Sequence, residues 1–218
     1  MQITTQVAPV TSLSLVSITA SSLTFTFIPS AGATSYTYAV IPQGTSTVVS
    51  SGNLITQSGG AGLLATVSHL QATTGYIVTI YVSSETFGSF FTGATAPLPA
   101  TSFTGKRNDN SSVILSWVSS PGTTQLSLTV SFASNGSFVT SSNFPVTSST
   151  VVYDLADGVM YQFTLYSGNF DGIDLSQGAT TQASTYSMCL LLLLFSFSVL
   201  LSLYVVPSPP VLTSLALV

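Results

Sequence analysis

Charge is what this chain has least of. Only 4% of its 218 residues are charged, against about 25% in an average globular protein. The two cations, Lys106 and Arg107, stand side by side. Neutralising a phosphate backbone takes several such groups spread over a face, so nucleic acid is excluded as a partner. The acids are Glu85, Asp109, Asp154, Asp157, Asp171 and Asp174, and the net charge is −4. The single cysteine, Cys189, lies in an apolar run, which leaves no disulfide framework and no thiolate metal site. The single histidine, His69, leaves a Ser-His-Asp relay no second base to choose from, and no Gly-x-Ser-x-Gly elbow is present. With one glutamate, paired carboxylates for glycoside hydrolysis would have to involve aspartates. The N-terminal Met1-Gln2-Ile3-Thr4-Thr5-Gln6 has neither the basic start nor the apolar core of a signal peptide. That is consistent with an incomplete N-terminus, a tail anchor or an export route that needs no such signal.

What is present points to strands. The hydrophobic fraction is 45%, enough for a sizeable core. Val, Thr, Ile, Tyr and Phe are abundant, as pleated, half-buried surfaces require. Polar surface falls to Ser, Thr, Asn, Gln and Gly. Two stretches set the organisation: Leu70-Gln71-Ala72-Thr73-Thr74-Gly75-Tyr76 and Leu155-Ala156-Asp157-Gly158-Val159-Met160-Tyr161, each followed by an alternating apolar run. Tyr161 follows Tyr76 by 85 residues, and Trp117 follows Phe27 by 90. Phe27 and Trp117 both close period-two runs, Leu23-Thr24-Phe25-Thr26-Phe27 and Val113-Ile114-Leu115-Ser116-Trp117, and both precede proline-containing turns.

On these residues each half resembles a fibronectin type III domain. That family has a large aromatic near the end of strand B and a Leu-x-Pro-x-Thr-x-Tyr entry to strand F. Leu70, Thr74 and Tyr76 match, with Ala72 in place of Pro; Leu155 and Tyr161 match in the second half, with Asp157 in place of Pro and Val159 in place of Thr. The resemblance implies an all-β chain of two tandem sandwiches, residues 5–96 and 100–183, without need of disulfides. Phe27, Tyr76, Trp117 and Tyr161 are the implied core residues, the two tyrosines as tyrosine corners. It implies little about activity, because function lives in sites grafted on folds.

The expected strands in the first half cover residues 8–18, 23–27, 36–41, 45–49 (a short edge), 63–67, 76–82 and 90–95. A glycine-rich turn falls at 59–62, and the boundary at Ala96-Pro97-Leu98-Pro99. In the second half they cover 101–105, 113–117, 125–132, 137–140, 150–153, 161–166 and 175–181. Lys106 to Asn110 is expected as a solvated turn, Asn135-Gly136 as a hairpin turn and residues 168–172 as a loop. That loop displays an adhesive tripeptide in some fibronectin-type domains, and here it carries no Arg-Gly-Asp. Asp154, Asp157, Asp171 and Asp174 read as solvated turn aspartates; a calcium site would need them to converge. His69 reads as a surface residue.

Residues 189–206, beginning at Cys189, are eighteen residues without charge. As a helix they would rise about 27 Å, close to the ~30 Å of a bilayer core. This run, with residues 187–206 as its outer bounds, is expected as a C-terminal hydrophobic transmembrane or anchor helix. Pro207-Ser208-Pro209-Pro210 stops it, and residues 207–218 form a short tail. Two sequons, at Asn110 and Asn135, lie in expected turns and are candidates for glycosylation.

The reading is therefore a non-catalytic cell-surface module, a spacer or adhesive ectodomain. It would use no cofactor and no metal, and would be held to the membrane through residues 189–206. Other surface proteins, glycans or copies of itself are its possible partners. The alternatives are a self-assembling subunit of an extracellular coat or fibre, the accessory domains of a truncated secreted enzyme, and a carbohydrate-binding sandwich using exposed Tyr and Phe.

Overall fold

A computed structural model describes residues 7–59, 62–82 and 86–185. All regular structure among these residues is β, and all its strand pairs are antiparallel. No helix among them is long and apolar enough to cross a membrane. The apolar run 189–206 and Glu85 lie outside the described residues.

The first sandwich is built from β1 (Thr11–Ile18), β2 (Leu23–Ile28), β3 (Tyr36–Pro42), β4 (Ser50–Asn53), β5 (Thr56–Gly59), β6 (Gly62–Val67), β7 (Gly75–Val82) and β8 (Gly88–Ala94). One sheet has the order β1-β2-β6-β5 and the other β4-β3-β7-β8. The second sandwich uses β9 (Thr101–Arg107), β10 (Val113–Val118), β11 (Gln125–Phe132), β12 (Phe138–Pro145), β13 (Ser149–Val152), β14 (Met160–Asn169) and β15 (Gly172–Ser184). Its sheets run β13-β10-β9 and β12-β11-β14-β15. Apart from the extra edge strand β5, the two halves repeat one fibronectin type III-like topology, and no strand pair joins one half to the other among the described residues.

Period-two burial explains the layers. Leu23, Phe25 and Phe27 of β2 point into the first core with Tyr76, Val78, Ile80 and Val82 of β7, while the residues between them face outward. In the second core Val113, Leu115 and Trp117 of β10 oppose Tyr161, Phe163 and Leu165 of β14. Phe27 meets Tyr36 edge-on with ring centres 5.0 Å apart, and Trp117 meets Phe103 edge-on at 6.1 Å and Phe144 at 5.9 Å. Both tyrosine corners are closed. The Tyr76 hydroxyl accepts the Gln71 N–H at 2.9 Å, and the Tyr161 hydroxyl accepts the Ala156 N–H at 2.9 Å.

The duplication extends to backbone conformation. Left-handed residues recur at matching places: Ser12 and Ser102, Gly32 and Gly122, His69 and Asp154, Thr73 and Gly158. Each half also ends on a buried threonine that ties down the loop before strand F. Thr95 Oγ1 donates to Gln71 O and accepts the Thr74 N–H; Thr185 Oγ1 donates to Ala156 O and accepts the Val159 N–H. The second sandwich thus runs to Thr185.

Several sequence expectations shift. The short edge strand expected at residues 45–49 forms instead as β4. Thr45 N–H bonds back to Pro42 O in a turn with Gly44 at φ 80°, so pairing with β3 resumes only at Val49 and Ser50. Lys106 and Arg107 belong to β9, paired with Ile114 and Val113, and the solvated turn begins at Asn108. β12 is twice the expected length, since its whole run pairs with β11. The loop expected at residues 168–172 is a tight turn: Asn169 still pairs with Gly172, after an irregularity between Tyr166 and Gly168.

Candidate functional site

The tight turn joining β14 to β15 is where the chain does something the fold alone does not require. Asn169, Asp171 and Asp174 all reach across to the first sandwich. The Asn169 side-chain amide donates to Thr95 O at 2.9 Å. Asp171 Oδ2 accepts the Ala94 N–H at 2.6 Å, and Asp174 Oδ2 accepts the Ala20 N–H at 2.9 Å. A fourth bond runs the other way, from Thr73 Oγ1 to Pro121 O at 3.2 Å. The turn is braced from within, because Asn169 Oδ1 accepts the Asp171 N–H and Asp174 Oδ1 accepts the Ser176 N–H. Asp174 is only 2% exposed, so its carboxylate exchanges water for backbone donors on both oxygens.

Asp174 is therefore not the solvated turn aspartate that sequence suggests, and Asp171, though exposed, is engaged by a backbone donor of the first sandwich. The linker is equally unlike a flexible tether. Thr95, Ala96, Pro97 and Ala100 are buried, Ala96 N–H bonds to Thr19 O, and Pro99 O accepts the Ser120 hydroxyl. Asp154 and Asp157 are exposed and sit at the other end of β14, whose ten residues put about 30 Å between the two loops. No group of three or more His, Cys, Asp or Glu side chains comes together among the described residues.

The same turn raises Phe170 into solvent, 94% exposed. Beside it opens a shallow cleft of about 440 Å³, lined by Phe170, Thr124, Gln125 and the end of β12 at Asn143, Phe144 and Pro145. Phe144 is half-buried because its ring packs on Trp117. The Gln125 amide nitrogen donates to Asn169 O, which leaves the amide oxygen as the acceptor. All six lining residues are uncharged.

The remaining sequence-selected residues are scattered. His69 is exposed at φ 63°, its ring Nδ1 3.2 Å from the Ser68 hydroxyl. Asn110 lies on the exposed turn after β9, where its side-chain oxygen accepts from the Arg107 guanidinium. Asp109 in that turn is held below its ordinary carboxylate range, chiefly by the Ser111 N–H and then by the Ser112 hydroxyl. Asn135 is exposed, its side-chain oxygen accepting the Ser137 N–H. Phe27, Tyr76, Trp117 and Tyr161 are all buried.

No protein-family model matches the chain, and no curated protein matches it. Among solved structures it is similar to a two fibronectin type-III domain segment from chicken tenascin, at 14% identity and a TM-score of 0.40, over 81% of this chain and 99% of that one. It is also similar to the FN1–FN3 domains of chicken CNTN1, at 16% identity and a TM-score of 0.46, over 81% of this chain and 67% of that one. A third structure, FN3tt, is 20% identical with a TM-score of 0.34, over 41% of this chain and 94% of its own.

Proposed function

We propose that the chain is a non-catalytic surface module, a stiff pair of sandwiches that holds a binding face away from a membrane to which residues 189–206 anchor it. The observation that carries this reading is the junction. A hinge would leave a solvated linker with unpaired backbone. Here most of the linker is buried, with Leu98 the exposed exception, and four hydrogen bonds cross between the sandwiches among the described residues. Each such bond contributes about 0.5–1.5 kcal/mol net, more where a carboxylate is the acceptor. Such a clamp suits a part whose task is to fix distance and orientation. The exposed sequons at Asn110 and Asn135 fit an extracellular setting, in which sugars would supply the hydration that charge does not.

Surface labelling of intact cells expressing the full chain tests the topology. Labelling that survives treatment with a phospholipase that cleaves glycolipid anchors is the expected result. Absence of labelling refutes an outside location, and release by the phospholipase refutes the span.

A second reading, a subunit of a coat or fibre, draws on one feature. Edge strand β12 is eight residues long, uncharged and largely exposed, with Phe138 65% exposed. It has none of the charges by which edge strands usually block pairing with another copy. Sedimentation of the full chain in dilute detergent separates the two: a monomer favours the module, a polymer the fibre.

A further inference from the structure

We propose that the cleft between the β14–β15 turn and the end of β12 binds a neutral oligosaccharide, with Phe170 as its stacking platform. The inference stands on the cleft alone and does not require the chain to be membrane-anchored.

Phe170 is the starting point. A phenyl ring left 94% in water is unfavourable for the free protein, and covering it is favourable. Exposed phenylalanines on floppy loops are ordinary. This one is not on a floppy loop, because its two neighbours are each bonded to the first sandwich, Asn169 to Thr95 O and Asp171 to the Ala94 N–H. The ring is thus displayed from a backbone fixed on both sides, and little ordering entropy remains to be lost on binding. The second wall is equally fixed: Pro145 is a rigid ring, and Phe144 is seated on Trp117.

The lining chemistry selects the occupant. Its volume of about 440 Å³ lies within the range of small-ligand sites, about 300–1,000 Å³. Every lining residue is uncharged, so an ionic ligand would lose hydration and gain no counter-charge. A purely apolar ligand would strand the polar groups of Thr124, Gln125 and Asn143. What satisfies both is a ligand with apolar faces and hydroxyl edges that donate as well as accept. The Gln125 oxygen is left to accept, because the nitrogen of the same amide is engaged by Asn169 O. A sugar hydroxyl supplies one. A proline-rich peptide, the other occupant that aromatic grooves favour, has few N–H groups to offer. Asn143 adds an amide that can both donate and accept. The pyranose C–H face would lie on Phe170, while the hydroxyls would meet Gln125, Asn143 and Thr124.

The test uses the full chain in a zwitterionic detergent without a sugar headgroup. It is titrated calorimetrically with uncharged gluco-, manno-, galacto- and N-acetylglucosamine hexasaccharides, with a sulfated hexasaccharide and with a decaproline peptide. At least one neutral oligosaccharide is expected to bind. Phe170→Ala should weaken that binding about tenfold or more, the loss that follows from deleting one stacked aromatic, and Phe170→Tyr should retain it. Circular dichroism should be unchanged in both, since the ring touches solvent. The proposal is overturned by a lack of binding to every neutral oligosaccharide at millimolar concentration. It is equally overturned by binding that Phe170→Ala leaves intact, by binding confined to the sulfated sugar, or by binding of decaproline alone.

Discussion

Gly32 and Gly122 offer a matched pair for measuring what the junction contributes. They stand at the same place in the two sandwiches, each closing a turn after strand B, with φ of 80° and 75°. Ser30 O accepts the Ala33 N–H in the first turn and Ser120 O accepts the Thr123 N–H in the second. A methyl group added at Gly32 meets nothing within 4 Å, whereas one added at Gly122 would lie 2.0 Å from the Thr73 methyl group of the other sandwich. Gly32→Ala therefore costs only the left-handed strain of an L-residue, about 1–2 kcal/mol. Gly122→Ala carries the same strain plus an overpacking cost of about 1–3 kcal/mol. Thr73 cannot give way freely. It is β-branched, itself left-handed at φ 58°, and bonded through its hydroxyl to Pro121 O. The assay is urea unfolding of the full chain followed by far-ultraviolet circular dichroism, with Thr73→Gly completing a double-mutant cycle. In the Thr73→Gly background, Gly122→Ala should cost no more than Gly32→Ala does in the native chain, giving a coupling of about 1–3 kcal/mol. Equal costs for the two alanines in the native chain, or a coupling near zero, would show that the sandwiches do not touch at Gly122.

Three further outcomes follow from the cores, the junction and the turn after β9. Trp117→Ala should cost about 3–5 kcal/mol, most of the stability of so small a sandwich, and Trp117→Phe markedly less, because the buried indole N–H has no partner to lose; an unmoved thermal midpoint for the alanine variant contradicts the packing. Asp174→Asn places an amide N–H₂ against backbone N–H donors, so it should cost about 1–3 kcal/mol. It should also broaden the distance distribution between spin labels on the two sandwiches, in a Cys189→Ser background; a distribution as narrow as the native one means the carboxylate is not what holds the junction. Because folding lowers the Asp109 pKa, its small stabilisation is present above the ordinary carboxylate range and fades as pH falls through the folded value. The thermal midpoint should thus drop less on acidification in Asp109→Asn than in the native chain, and equal drops would remove Asp109 from the acid response.

The features legible in sequence are those written in local periodicity. The tyrosine corners can be read because Leu70 to Tyr76 and Leu155 to Tyr161 carry the turn, the ring and the following alternation in one short stretch. β5 and the far half of β12 have mostly exposed side chains and polar sequence, and pairing to β6 and β11 holds them as strands. No apolar period marks such edges. The junction was hidden for another reason. Asp171 and Asp174 look like any turn acids until the first sandwich presents Ala94 and Ala20 to them, a contact between residues 77 and 154 positions apart. Thr73 is left-handed with no local signal, although its counterpart Gly158 is a residue type that tolerates that conformation. The cleft depends on the turn being tight, and the glycines around it suggested a loop.

The position of the clamp along the chain has a consequence for biosynthesis. Everything the first sandwich needs for its own closure, down to Thr95 and Ala96, has been made by residue 96. The groups that grip it, Asn169 to Asp174, are among the last of the second sandwich to be translated. Emerging at about 5–20 residues per second, the first sandwich has several seconds to fold alone before they arrive. Throughout that interval the Ala20 and Ala94 N–H groups are served by water. The two halves are similar in topology, and neighbouring similar domains are prone to exchange strands while incomplete. With three of the four crossing bonds carried by residues 169–174, the junction is completed only after nearly all of the second sandwich has been made.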